Sequence, residues 1–184
     1  MRKILLTSAG FETDRILKIF QGLLLKDPAN IKALFIPTAA VFPGAIEVLP
    51  KCMNDLLRAG ISSENIHVFD LHRNMEYDEL RQYDVVYFTG GNPQYLLERI
   101  NDTGFNQSLE TFVNNSGVYV GVSAGSMVAT NNLPGSLKLI NCTLGVHMQS
   151  GTTPGNIDVS QNPHIDLKDE NAILILGDTY EVIG

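Results

Sequence analysis

The sequence predicts a three-layer α/β domain: a doubly wound, mostly parallel sheet with helices on both faces and extra strands at its C-terminal end. Three observations predict it. Short apolar runs alternate with amphipathic segments from Lys3 to about Asn131, as βαβ units do. Those runs are apolar throughout rather than every second residue, as strands covered on both faces require. After Asn131 the alternation stops and strand-like runs follow one another. A chain of 184 residues suits one domain, 1–184, and shows no internal repeat or linker-like shift in composition.

The elements follow in order. Lys3 to Leu6 reads as a short buried strand closed by Thr7-Ser8-Ala9-Gly10. Asp14 to Leu25 carries Ile16, Leu17, Phe20, Leu23 and Leu24 at helical spacing. Lys32 to Pro37 is the second strand. Ala45 to Ala59 is helical in spacing and stops at Gly60, with Pro50 marking a kink or a later start. Ile66 to Leu71 and Asp84 to Thr89 are the third and fourth strands, the latter opening into Gly90-Gly91-Asn92-Pro93. Gln94 to Ile100 and Phe105 to Asn114 are helix pieces. Val118 to Val122 is the fifth strand and runs into Ser123-Ala124-Gly125, with a helix from Ser126 to Asn131. Leu137 to Val146 and Ala172 to Ile183 read as strands around a Gly/Thr/Asn/Pro-rich stretch, Met148 to Pro163. A stretch of that length without regular structure is usually functional or mobile.

Composition narrows the partners. The net charge is −7, and the 13 Lys and Arg residues are scattered. Nucleic acid and anionic membrane both need clustered cations, so neither is expected. The two cysteines, Cys52 and Cys142, form no CxxC pair, so no zinc ribbon, disulfide framework or other metal site is expected. The opening MRKILLTSAG is too short in its apolar part for a signal segment. No run approaches the ~20 apolar residues of a membrane span. The expectation is a cytoplasmic protein.

Chemistry concentrates in Val118 to Ala129. Gly121-Val122-Ser123-Ala124-Gly125 is a Gly-x-Ser-x-Gly pattern at a strand-to-helix junction, the pattern of a nucleophile elbow. Glycines two residues either side let neighbouring backbones pass a turn too tight for a Cβ. The serine is held strained with its Oγ exposed. The Ala124 amide then becomes an oxyanion donor, with a second donor expected from Gly90-Gly91-Asn92. Such a serine needs a base. His67 lies within a strand and His72 in a solvated loop, while His147 and His164 flank the irregular stretch.

Three stretches in order, FTGGNPQYLL (88–97), VGVSAGSMVA (120–129) and NPHIDL (162–167), with ALFIPTA (33–39) as support, resemble the peptidase E family of serine peptidases. More distant relatives are cyanophycinase and the class I glutamine-amidotransferase-like fold, a flavodoxin-like architecture. The resemblance implies Ser123 as nucleophile and His164, in Asn-Pro-His, as general base. It implies oxyanion donors among Gly91, Asn92 and Ala124. It also implies a short peptide substrate such as a dipeptide, no cofactor, and a monomer or homodimer. Alternatives are a cyanophycinase-like hydrolase or a non-enzymatic small-ligand-binding module. An amidotransferase would need a cysteine at the elbow.

Two departures stand out. No arginine follows His164, so strict aspartyl specificity is not expected, because Lys168 lacks the bidentate fork. No acid lies between Asn131 and Lys138 to serve as third member. Asp178, Asp166 and Asp158 are the candidates. Asp178 is preferred because it ends the Ile173–Leu176 strand, although a short tail beyond Gly184 could also supply an acid.

Overall fold

Five parallel strands form the body of the sheet: β1 (Lys3–Thr7), β2 (Ala33–Ile36), β3 (Ile66–Val68), β4 (Val85–Phe88) and β5 (Val118–Val122). The computed structural model describes residues 1–184. Three antiparallel strands extend it: β7 (Gly155–Asn156), β9 (Ala172–Leu176) and β10 (Thr179–Ile183). The order is β3-β2-β4-β5-β1-β9-β10-β7. A separate parallel pair joins β6 (Thr143–Gly145) to β8 (His164–Asp166).

Both faces of the sheet are covered, as the continuous apolar runs require. Leu5, Phe35, Tyr87 and Val120 point to one face, where helices α1 (Asp14–Leu23) and α3 (Leu49–Arg58) supply Ile16, Phe20 and Leu56. Ile4, Ile36, Phe88 and Tyr119 point to the other. There α4 (Tyr77–Leu80), α5 (Pro93–Asp102), α6 (Phe105–Asn114) and α7 (Ala124–Met127) pack. Successive strand residues alternate between the two clusters, the period-2 geometry of a strand buried on both sides.

The expected Ala45–Ala59 helix is two. The short α2 (Pro43–Glu47) ends at Val48, and α3 starts at Leu49 with Pro50 in its first turn. A missing N–H costs nothing there. Asn92 caps α5 by accepting from the Tyr95 amide at 3.0 Å. The Leu137–Val146 strand shrinks to β6. Lys138 has φ +52°, and the amides of Leu137 and Leu139 bond to Val128 O and Ala129 O instead of a ladder. Ala172–Ile183 is a hairpin that turns at Gly177, φ +58°.

Candidate active site

The carboxyl ends of β1, β4 and β5 lie side by side, because Thr7 pairs with Val122 and Phe88 with Gly121. Ser123 follows β5 with φ +48° and ψ −103°. A non-glycine residue there carries strain of ~1–3 kcal/mol, which the surroundings must hold. They do so with several hydrogen bonds. The Ser123 amide donates to Thr7 O at 3.0 Å. Ser126 Oγ sits 2.7 Å from Thr7 O and 2.8 Å from Gly121 O, and Thr7 Oγ1 donates to Gly121 O at 3.1 Å. The buried Tyr119 hydroxyl donates to Gly125 O at 2.6 Å.

The glycines are sterically required. A Cβ on Gly121 would lie 2.6 Å from the Gly125 carbonyl carbon, and one on Gly125 would lie 2.6 Å from Phe88 Cβ. A Cβ on Gly91, at φ +138°, would meet Ala39 O at 2.0 Å. Gly90 packs directly on Ser123, where an added Cβ would lie 3.3 Å from Ser123 Cβ.

Ser123 Oγ lies 3.0 Å from His147 Nε2. His147 Nδ1 lies 2.7 Å from Asp169 Oδ1. Nε2 facing the serine and Nδ1 facing the carboxylate is the order a serine–histidine–acid relay requires. Ser8 ties the pair together from the end of β1. Its buried Oγ accepts from the His147 amide at 2.7 Å and lies 3.2 Å from Asp169 Oδ1, to which it can donate.

The residues expected from sequence divide. Ser123, Gly91 and Ala124 come together. Gly91 and Ser123 line one cleft of about 490 Å³ with Ser8, His147 and Asp169. Ala124 heads α7, where no preceding turn can accept from its amide. Asn92 is committed elsewhere, its side chain to the α5 cap and its amide to Ala39 O at 2.7 Å.

His164 does not meet Ser123. It belongs to β8, with Nδ1 2.9 Å from Thr143 Oγ1 and Nε2 3.1 Å from Asp166 Oδ1, so both ring nitrogens are occupied. Asp158 accepts from the Ser160 amide in a surface turn at 2.8 Å. Asp178 is at the wrong end of the sheet. β9 runs antiparallel to β1, so Leu176 pairs with Lys3 while Ala172 pairs with Thr7. The residues before β9, including Asp169, therefore lie at the serine's end of the sheet, and the residues after it do not.

Two acidic groups in and near the cleft are protonation-controlled by burial. Burial pushes the Cys52 thiol up to about 11, so it stays a thiol near neutral pH. The Asp55 carboxyl is likewise raised, mainly by burial, while accepting from Tyr87 Oη at 2.7 Å and the Phe11 amide at 3.0 Å. The chain holds no cluster of three or more His, Cys, Asp or Glu side chains suited to a metal. No helix is long and apolar enough to cross a membrane.

Comparison with known proteins matches this architecture. A peptidase from an acI-B1 actinobacterium superposes with a TM-score of 0.70 at 19% identity, over 100% of this chain and 88% of that one. A Listeria monocytogenes protein described as a peptidase E candidate superposes with a TM-score of 0.75 at 20% identity, over 100% and 98%. At those identities the likeness is one of fold. An uncharacterized peptidase of Pasteurella multocida is 25% identical over 133 residues, 72% of this chain and 62% of the relative. An uncharacterized peptidase of Listeria monocytogenes is 24% identical over 130 residues, 71% and 63%. The chain thus spans less than two thirds of the curated relatives it matches. The profile of peptidase family S51 covers residues 4–183, and on that match the chain belongs to peptidase family S51.

Proposed function

We propose that the protein is a serine hydrolase cleaving the amide bond of short peptides, of about dipeptide length. The observation that carries this is the continuous relay from Ser123 Oγ through His147, 3.0 Å away, to Asp169, 2.7 Å further on. Ser123 attacks the carbonyl carbon and His147 Nε2 takes its proton. Asp169 orients the ring and stabilises the imidazolium that forms. The developing oxyanion lies between the amides of Ala124 and Gly91, each such donor being worth about 2.7–4 kcal/mol in the barrier. His147 returns the proton to the leaving amine, and water attacks the acyl-enzyme through the same base. The family and its peptidase relatives support the reaction class. The cleft of about 490 Å³ supports a small substrate.

The test is labelling with a fluorophosphonate, together with hydrolysis of a dipeptide panel. Labelling and hydrolysis that vanish in Ser123→Ala and His147→Ala, and persist in His164→Ala, support the assignment. Activity lost in His164→Ala and kept in His147→Ala overturns it. A folded wild-type protein that neither labels nor hydrolyses any panel member overturns the hydrolase reading.

A further inference from the structure

One part of the lining of the cleft that holds Ser123 is apolar and exposed. Phe42, Ala45 and Val48 line it. Phe42 is 48% exposed and Val48 43%. Four of the molecule's ten exposed large apolar residues, Val41, Phe42, Ile46 and Val48, fall within this one short segment around α2. Scattered surface apolar residues need no explanation, but a cluster of which Phe42 and Val48 line the same cleft as Ser123 and His147 does.

The charges point the same way. The charged side chains lining the cleft are Lys51 and the Asp169 that serves His147. Lys51 is paired with Glu12, and that partner holds its ammonium charged and engaged. Asp169 is engaged by His147 and Ser8. An acidic substrate side chain would have to compete with Glu12 for the only cation and would face Asp169. A neutral apolar side chain would instead cover Phe42 and Val48 and leave both pairs intact.

Resting on the hydrolase reading above, we propose that the side chain on the acyl side of the scissile bond is neutral and apolar, of leucine to phenylalanine size, and packs on Phe42 and Val48.

The test uses diphenyl aminoalkylphosphonates with benzyl, isobutyl or carboxymethyl side chains. Ser123 Oγ bonds to phosphorus and its proton passes to His147. The phosphorus–oxygen bond to one phenyl group breaks, and phenoxide leaves with that proton. The expected result is inactivation at least tenfold faster with the benzyl and isobutyl reagents than with the carboxymethyl one. Phe42→Asp should shrink that ratio to threefold or less, and Val48→Asp provides the same readout if the first variant fails to fold. A carboxymethyl reagent equal to or faster than the other two overturns the substrate class and leaves the hydrolase reading standing. Folded protein modified by none of the reagents overturns both. A wild-type ratio below threefold, with a dimer that Phe42→Asp dissociates, overturns the proposal and gives the patch to a second copy of the chain.

Discussion

The two halves of the sheet contribute to the site by opposite rules. On the parallel side, β1, β4 and β5 deliver Ser8, Gly91 and Ser123 just after their carboxyl ends. On the antiparallel side, Asp169 comes just before β9, because that strand runs the other way and Ala172 is the residue beside Thr7. The general rule for open α/β sheets, that ligands bind past the carboxyl ends of strands, holds only for strands sharing the parallel direction. In a sheet with an antiparallel extension, the same edge is made of strand exits on one side and a strand beginning on the other.

The largest expected effect breaks this comparison at the histidine. His147→Ala should lower kcat by on the order of 10⁴–10⁶, while His164→Ala should leave it within about twofold, since that ring serves Thr143 and Asp166. Steady-state kinetics on any accepted dipeptide decides between them. At the acid, Asp169→Asn should cost on the order of 10⁴ in kcat. Asp178→Asn, at the far end of β9, should cost nearly nothing. Equal effects of the two would mean that strand direction does not select the acid.

Ser8 sharpens the comparison, since it is where the parallel side holds the antiparallel side in place. Ser8→Ala should lower kcat by about tenfold with little change in KM, because it removes bonds to the His147 amide and to Asp169 rather than to substrate. Its kcat–pH profile should move as well, which a purely structural loss would not produce. Freeing Lys51 with Glu12→Gln should raise the rate with the carboxymethyl phosphonate by about threefold, a modest surface effect.

The smallest effect lies beneath the cleft. The Asp55 carboxyl has a folded pKa raised above its ordinary value. It therefore stabilises the fold below about pH 4 and withdraws that contribution as pH rises through its folded value. Asp55→Asn keeps an acceptor for Tyr87 and Phe11 and does not titrate. The Tm of wild type should fall relative to the variant as pH rises above about 4 and the carboxyl ionises. Parallel Tm curves would show that the protonation of Asp55 is not coupled to folding.

The parallel half was readable in the chain because each piece obeys a local rule. Gly-x-Ser-x-Gly at a strand end fixes the tight turn at Ser123 through contacts among neighbouring residues, and the apolar runs fix which strands are doubly covered. His147 and Asp169 obey no local rule. His147 sits at φ +58° after a three-residue strand, and Asp169 sits in an exposed turn. Their position depends on β9 lying antiparallel against β1, a non-local pairing. The Asn-Pro-His motif pointed to His164, yet its parallel pairing with β6 sets that ring beside Thr143. A usable signal was present in Lys168-Asp169-Glu170-Asn171, a polar turn immediately before a strand, had that strand's direction been known. Asn92 shows the opposite hazard. A residue type suited to oxyanion binding is equally suited to capping a helix, and here the cap holds it.

The place of β1 within the sheet has a consequence for how the molecule comes into being. It precedes the other nine strands in the chain, yet it lies between β5 and β9. Thr7 meets Gly121 across 114 positions of chain, and Ser8 meets Asp169 across 161. Closing such long loops makes folding slow, and early strands wait with unpaired edges. A ribosome-bound chain that has emerged through α7 already carries Ser123 between its two glycines, while His147 and Asp169 are still to come. On the hydrolase reading proposed above, Ser123 gains its partners only once the chain between β6 and β9 is in place, so the nascent protein stays unreactive while it is most exposed to other unfolded chains.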